Sequence, residues 1–211
     1  MKGLILKDLY MSFKYCKAIY IFIVFFSIIA IFDNSTIYWI LLPVILSGNI
    51  PVSVLAYDEQ SRWNSYSDTL PCSRTQAVSS KYILTLFSVG GIWVLLSVVL
   101  AISELIRSNF IFTDYIVAIT GVLVLGMIPP ALILPIIFKY GTEKGRIMYT
   151  VVIAVLIGGI SILACFLNDT AQAPYTAGVY FSETLITAII VIVTFIGSWT
   201  LSANIYKKRE L

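Results

Sequence analysis

The chain has no histidine, and Asp, Glu, Lys and Arg together fill only 12% of its 211 positions. Soluble domains carry about 25% charged residues. The missing histidine removes the commonest metal ligand and the side chain that moves protons near neutral pH. The long apolar blocks also hold no Asp, Glu, Lys or Arg away from their ends. A proton-coupled carrier needs ionisable groups inside the membrane, and a metal-dependent intramembrane protease needs His or carboxylate ligands. Neither class is expected from these residues. A G-x-x-x-x-G-K-[ST] phosphate cradle is absent as well. No metal or cofactor is therefore expected on this chain, it is not expected to be an enzyme, and any work against a gradient must draw its energy from another chain. Cys16, Cys72 and Cys165 show no paired spacing, which argues against a disulfide or metal framework. No small-residue A-x-A site follows the first apolar block, so that block is expected to stay as an anchor.

What is present is oil. Hydrophobic residues make up 59% of the chain and mean hydropathy is +0.95. A membrane span needs about 20 mainly apolar residues, and the apolar blocks fall at roughly 18–32, 36–57, 82–106, 114–138, 147–167 and 184–205. The expected fold is an all-α membrane protein of six spans forming a single permease-sized domain over 1–211. If six spans alternate, every Lys and Arg except Arg107 of the 14 falls on one side. The positive-inside rule makes that side, with both termini, cytoplasmic.

Met1–Lys17 carries Leu6, Leu9, Tyr10 and Phe13 on one helical stripe with Lys7 and Lys14 opposite, which predicts a helix over 2–16 lying on membrane lipid at the cytoplasmic surface. Pro43 and the Ser47-Gly48-Asn49-Ile50-Pro51 cluster predict a bend in the second span. Pro129, Pro130 and Pro135 predict a broken or strongly kinked fourth span. Asn168 to Glu183 reads as the longest outer loop. Asn49, Trp93, Trp199, Thr194 and Ser198 are among the polar or amphipathic groups inside the spans. They are candidates for a translocation path, with helix packing as the plainer role for each.

The one long polar run is Tyr57 to Lys81. Central charges cost at least about 2.5 to 3.5 kcal/mol each in hydrocarbon, so Asp58, Glu59, Arg62 and Asp68 place it in water between the second and third spans. A helix starting near Glu59 puts Trp63, Tyr66 and Leu70 on one side, and Pro71 ends it. Ser73-Arg74-Thr75-Gln76 is a capping box that starts the next helix at Ser73. Phe138 to Arg146 forms the second loop on this side. There Gly141 suits a helix C-cap, and Lys139, Glu143, Lys144 and Arg146 offer either a second partner contact or a plain basic turn.

These residues carry a resemblance. Tyr57-Asp58-Glu59-Gln60-Ser61-Arg62-Trp63, then Leu70-Pro71-Cys72-Ser73-Arg74 and Ser80-Lys81-Tyr82, resembles the first cytoplasmic loop of the short permeases of ABC-2 type transporters. Met1-Lys2-Gly3-Leu4-Ile5-Leu6-Lys7-Asp8-Leu9 and the Phe138 to Arg146 loop are similar to other recurring stretches of the same subgroup. That subgroup includes permeases of exporters of amphipathic peptide toxins, the phenol-soluble modulins, and of peptide-antibiotic self-protection systems. The resemblance implies a permease dimer, most simply of two copies of this chain, in a bacterial plasma membrane. It also implies an ABC ATP-binding subunit that holds ATP and Mg. The loop between the second and third spans would be a short coupling helix docking that subunit through Asp58, Glu59, Arg62, Trp63, Tyr66 and Leu70. The implied cargo is an amphipathic peptide or a hydrophobic antimicrobial compound, and nucleic acid is not among the partners. A non-transporting membrane anchor or sensor, and a sodium-coupled carrier built on carbonyls and hydroxyls, are the alternatives.

Overall fold

The computed structural model of the chain describes residues 2–33, 36–63, 73–107, 111–168 and 177–207. Among these residues every element is a helix: α1 Lys2–Tyr15, α2 Lys17–Phe32, α3 Thr36–Gln60, α4 Arg74–Ile106, α5 Phe112–Tyr140, α6 Thr142–Asn168 and α7 Ala177–Lys207. The expected outer loop from Asn168 to Glu183 is shorter than the sequence suggested, because α7 starts at Ala177. Gly178 reads as a loop signal there, but a single glycine is tolerated inside a helix.

Four helices, α3, α4, α5 and α7, are long and apolar enough to cross a membrane. The α1–α2 pair, bent by 67° at Cys16, makes up to a fifth crossing. α2 has 16 residues, about 24 Å of helix against a hydrocarbon core of about 30 Å. α1 is the predicted N-terminal helix, and its stripe is exposed at Leu6, Tyr10 and Phe13 but not at Leu9, which packs against the core. Leu4, Asp8 and Ser12 are buried.

α3 and α4 form the centre. α3 packs against α1, α2, α4, α5 and α6, while α7 packs against α4 and α5. One buried cluster joins Ile23 and Ala30 of α2 to Ile40, Val44 and Ile50 of α3 and Leu84, Ile92 and Leu96 of α4. A second, nearer the basic end, joins Val52, Val78, Tyr82, Ile133, Ile137, Tyr149 and Tyr206. Small hydroxyl residues let these helices approach closely and satisfy themselves against their own backbone. Ser27 Oγ donates to Ile23 O at 2.7 Å, and Thr85 Oγ1 to Lys81 O at 2.8 Å. The outer surface is the inverse of a water-soluble protein, with Phe87 63%, Val193 62% and Ile192 57% exposed. Such a surface is stable facing lipid and unstable facing water.

The prolines do not break their helices. α3 is continuous through Pro43 and Pro51, and α5 through Pro129, Pro130 and Pro135. The break expected in α5 as the alternative to a kink is therefore corrected, and a neighbouring side chain explains how α5 tolerates one of its prolines. Pro135 has no N–H to give the carbonyl four residues back, Ala131 O, and Ser198 Oγ from α7 donates to that carbonyl instead. At the end opposite the basic one, Arg107 Nη2 donates to Asp33 O and Trp39 Nε1 to Asp33 Oδ2. These bonds fix the turn between α2 and α3 to the end of α4.

Candidate partner-docking face

The site grows out of the last turn of α3. Asp58 was expected in a watery loop; instead it is part of α3 and 2% exposed. A buried carboxylate needs charged partners, and three elements supply them. Lys81 Nζ, from the second turn of α4, donates to Asp58 Oδ2 and to Asp8 Oδ1 of α1 at 2.6 Å. Lys7 Nζ reaches Asp58 Oδ1 at 2.8 Å and Asp8 Oδ1 at 3.2 Å. Ser80 Oγ donates to Asp8 Oδ2 at 3.1 Å. Two cations and two anions thus neutralise one another where α1, α3 and α4 meet. The Asp58–Lys81 pair closes the two stems of the intervening loop on each other.

The chain leaves this cluster by a sharp turn. Ser61 N still donates to Tyr57 O at 3.0 Å, but Arg62 N turns to Glu59 O at 3.1 Å, and Arg62 stands at φ 53. A separate helix beginning at Glu59 is therefore corrected: Glu59 and Gln60 are the end of α3, and the turn follows them. Trp63 is half-buried, with Lys7 Nζ 3.9 Å from its ring centre, within the range of a cation–π contact. Arg62 is exposed. Tyr66 and Leu70 lie outside the described residues, as does the rest of the predicted coupling helix. On the far stem the predicted capping box is present, since Ser73 Oγ accepts from Gln76 N and Gln76 Oε1 accepts from Ser73 N, each at 3.3 Å.

Glu59 does something the sequence did not disclose. Its Oε2 accepts from Thr142 N at 2.8 Å, so the end of α3 caps the start of α6. An acidic group suits a helix N-terminus, where N–H groups lack partners and the dipole is positive. Gly141 makes this geometry available: it stands at φ 89, and a Cβ there would meet Glu59 Oε1 at 3.1 Å. As predicted, Gly141 also ends α5. The two loops that sequence reasoning treated separately are thereby joined. Between them lies a cleft of about 570 Å³ lined by Glu59, Gln60, Tyr140, Glu143, Lys144 and Arg146. Lys139 stands beside it, with Nζ 4.9 Å from the Tyr140 ring.

Among the described residues the candidate path residues make separate contacts. Ser198 is buried in a hydroxyl cluster with Tyr82 Oη at 2.6 Å, and Tyr82 also bonds Ser202 Oγ at 2.7 Å. Because the single Ser198 proton goes to Ala131 O, Tyr82 donates to Ser198 and accepts from Ser202. Thr194 Oγ1 donates to Val191 O in its own helix at 2.9 Å. Trp93 Nε1 donates to Ile119 O at 3.0 Å, linking α4 to α5. Trp199 is 39% exposed and donates to Ser79 Oγ at 3.1 Å, while Asn49 is half-buried. An apolar cavity of about 160 Å³ between α3, α4 and α5, lined by Ile40, Val44, Leu100, Gly121, Val122 and Leu125 among others, includes none of them.

Sequence reasoning placed Lys7 on the polar side of α1 and quoted Asp8 and Lys81 within recurring stretches, but brought none of the three together with Asp58. One signal was available: Asp8 and Ser12, at i and i+4, put two polar groups on the face of α1 that turns away from Leu6, Tyr10 and Phe13. Among the described residues no group of three or more His, Cys, Asp or Glu comes together to hold a metal.

Comparison with known families places almost the whole chain. Residues 3–207 match the family described as ABC-2 family transporter protein. No curated protein and no solved structure gives a match. The match, the apolar helices and the joined basic-end loops agree, and the chain belongs to the ABC-2 family of transporter proteins.

Proposed function

We propose that this chain is the membrane half of an ATP-driven exporter and that its ATP-binding partner docks on residues 59–71, Asp58 being buried behind that surface and so removed from the docking set. Family membership makes it a multi-pass membrane permease component of an ABC transporter and implies an ABC ATP-binding subunit as partner. The finer reading places the basic end in the cytoplasm and pairs the permease with a second copy of itself. It assigns amphipathic peptides or hydrophobic antimicrobial compounds as cargo, because the helices offer apolar, aromatic and hydroxyl groups and few others. The continuity of α3 and α5 removes broken helices as an argument for transport, so that argument now rests on the family alone.

The observation that carries the docking site is the closure of the loop's stems. Asp58 and Lys81 hold α3 and α4 together beneath the loop, so a push on the loop acts on both helices as one body. Trp63 sits at the head of that closure and is suited to an interface anchor, since aromatic residues and Arg dominate such contacts. Trp63→Ala combined with Tyr66→Ala is expected to abolish co-purification of the ATP-binding subunit and partner-stimulated ATP turnover. Retention of both would overturn the docking site.

A further inference from the structure

We propose that Lys7, Asp8, Asp58 and Lys81 form a transmission joint that makes α1 a third driven element, moving with α3 and α4 when the intervening loop is displaced. The inference rests on the docking reading above and goes beyond it, because nothing in that reading requires the N-terminal helix to take part. Three observations carry it. First, the joint spans three elements and three of its four members are buried: Asp8 is 1%, Asp58 2% and Lys81 7% exposed, with the Lys7 side chain 22% exposed at its edge. Removing one member of a buried ion group leaves an uncompensated charge, so the three helices resist sliding past one another and shift together. Second, α1 is held to α3 a second time, by the stacked rings of Tyr15 and Tyr57 at 4.5 Å. Third, Trp63 of the docking loop lies under Lys7 Nζ, 3.9 Å away, which puts the proposed partner surface in direct contact with the joint.

The opposite face of α1 gives this coupling an end point. Leu6, Tyr10 and Phe13 are 71%, 67% and 61% exposed, and they share a stripe that suits the lipid surface. A load applied at the loop therefore reaches the bilayer surface through α1, as well as the spans through α3 and α4. Lys7, Asp8 and Lys81 are positioning residues in this scheme and touch no cargo.

The test uses the permease co-purified with its ATP-binding subunit in lipid nanodiscs. Spin labels sit at Phe13→Cys on α1 and Leu201→Cys on α7, with the native cysteines replaced by serine. Trapping the complex with ATP and vanadate is expected to change the distance between the labels. The Asp58→Asn, Lys81→Met double variant keeps the remaining Lys7–Asp8 pair neutral and so keeps the fold. It is expected to retain the ATP-binding subunit, to lose the distance change, and to turn over ATP about tenfold more slowly when stimulated, within the ordinary range for a coupling between two sites. A purely structural role predicts that the neutral double variant behaves like its parent, and that result would refute the joint. So would an unchanged distance in the parent. If Trp63→Ala with Tyr66→Ala kept its partner while the double variant still lost the distance change, the joint would stand and the docking surface would lie elsewhere.

Discussion

Single residues set the geometry of the basic end. Gly141 stands at φ 89, with Glu59 Oε1 3.1 Å from where a Cβ would be. Gly141→Ala is expected to cost about 1 to 3 kcal/mol for the positive-φ extended backbone alone, with more from crowding Glu59. A thermal melt of the purified permease checks this, and Glu59→Gln, which keeps an acceptor for Thr142 N, is expected to fall much less. Tyr82 offers a second case, because its hydroxyl links Ser198 and Ser202 of α7 to α4. Tyr82→Phe keeps the ring and removes the link. A hydrogen bond between membrane helices is worth about 0.6 kcal/mol on average and up to about 1.7 kcal/mol, so a lowered melting temperature without loss of fold is the expected outcome. Individual residues were the least legible level in the sequence. Ser198 and Trp93 read as polar groups inside spans, and only the structure shows them bonded to carbonyls of α5. Which carbonyl a hydroxyl will meet depends on how two helices cross, and hydropathy does not encode that.

Helices were far more legible, since each follows from a local signal. The capping box at Ser73 and the stop at Gly141 fell where spacing placed them. Two kinds of element misled. Prolines break an isolated helix, but α5 runs through three of them with Ser198 bonded to the carbonyl that Pro135 leaves without a partner. Charges avoid hydrocarbon, but Asp58 escapes it by pairing inside the protein, which a hydropathy reading cannot distinguish from a loop in water. The contact between α3 and α6 gives a test at this scale. Tyr149 Oη donates to Ile45 O at 2.5 Å, and a Cβ on Gly48 would lie 2.6 Å from that hydroxyl. Gly48→Ala must therefore displace Tyr149 or push the helices apart, at a cost of about 1 to 3 kcal/mol for overpacking. Combining it with Tyr149→Phe removes the colliding oxygen. The double variant is expected to be more stable than the sum of its single variants predicts, a non-additivity that a double-mutant cycle in detergent measures directly.

At the scale of the molecule, the chain is a bundle tied at both ends. Asp33, Trp39 and Arg107 join α2, α3 and α4 at one end, and the four-charge joint ties α1, α3 and α4 at the other. Such ties hold α2, α3 and α4 together at one end and α1, α3 and α4 at the other, while α5 and α7 meet them through hydroxyl and indole hydrogen bonds and apolar packing. An exporter worked from outside needs helices tied in this way, together with a handle on them. The handle in this account is the loop after α3, and its accessibility to a partner is the central claim. Site-specific photo-crosslinking tests it most directly, with a photoreactive side chain placed at the exposed Arg62 and, as a control, at Leu105, 65% exposed at the opposite end. In cells making the whole transporter, the account predicts a covalent adduct with the ATP-binding subunit from position 62 and none from position 105. Adducts with that subunit from position 105, or none from 62, would contradict it.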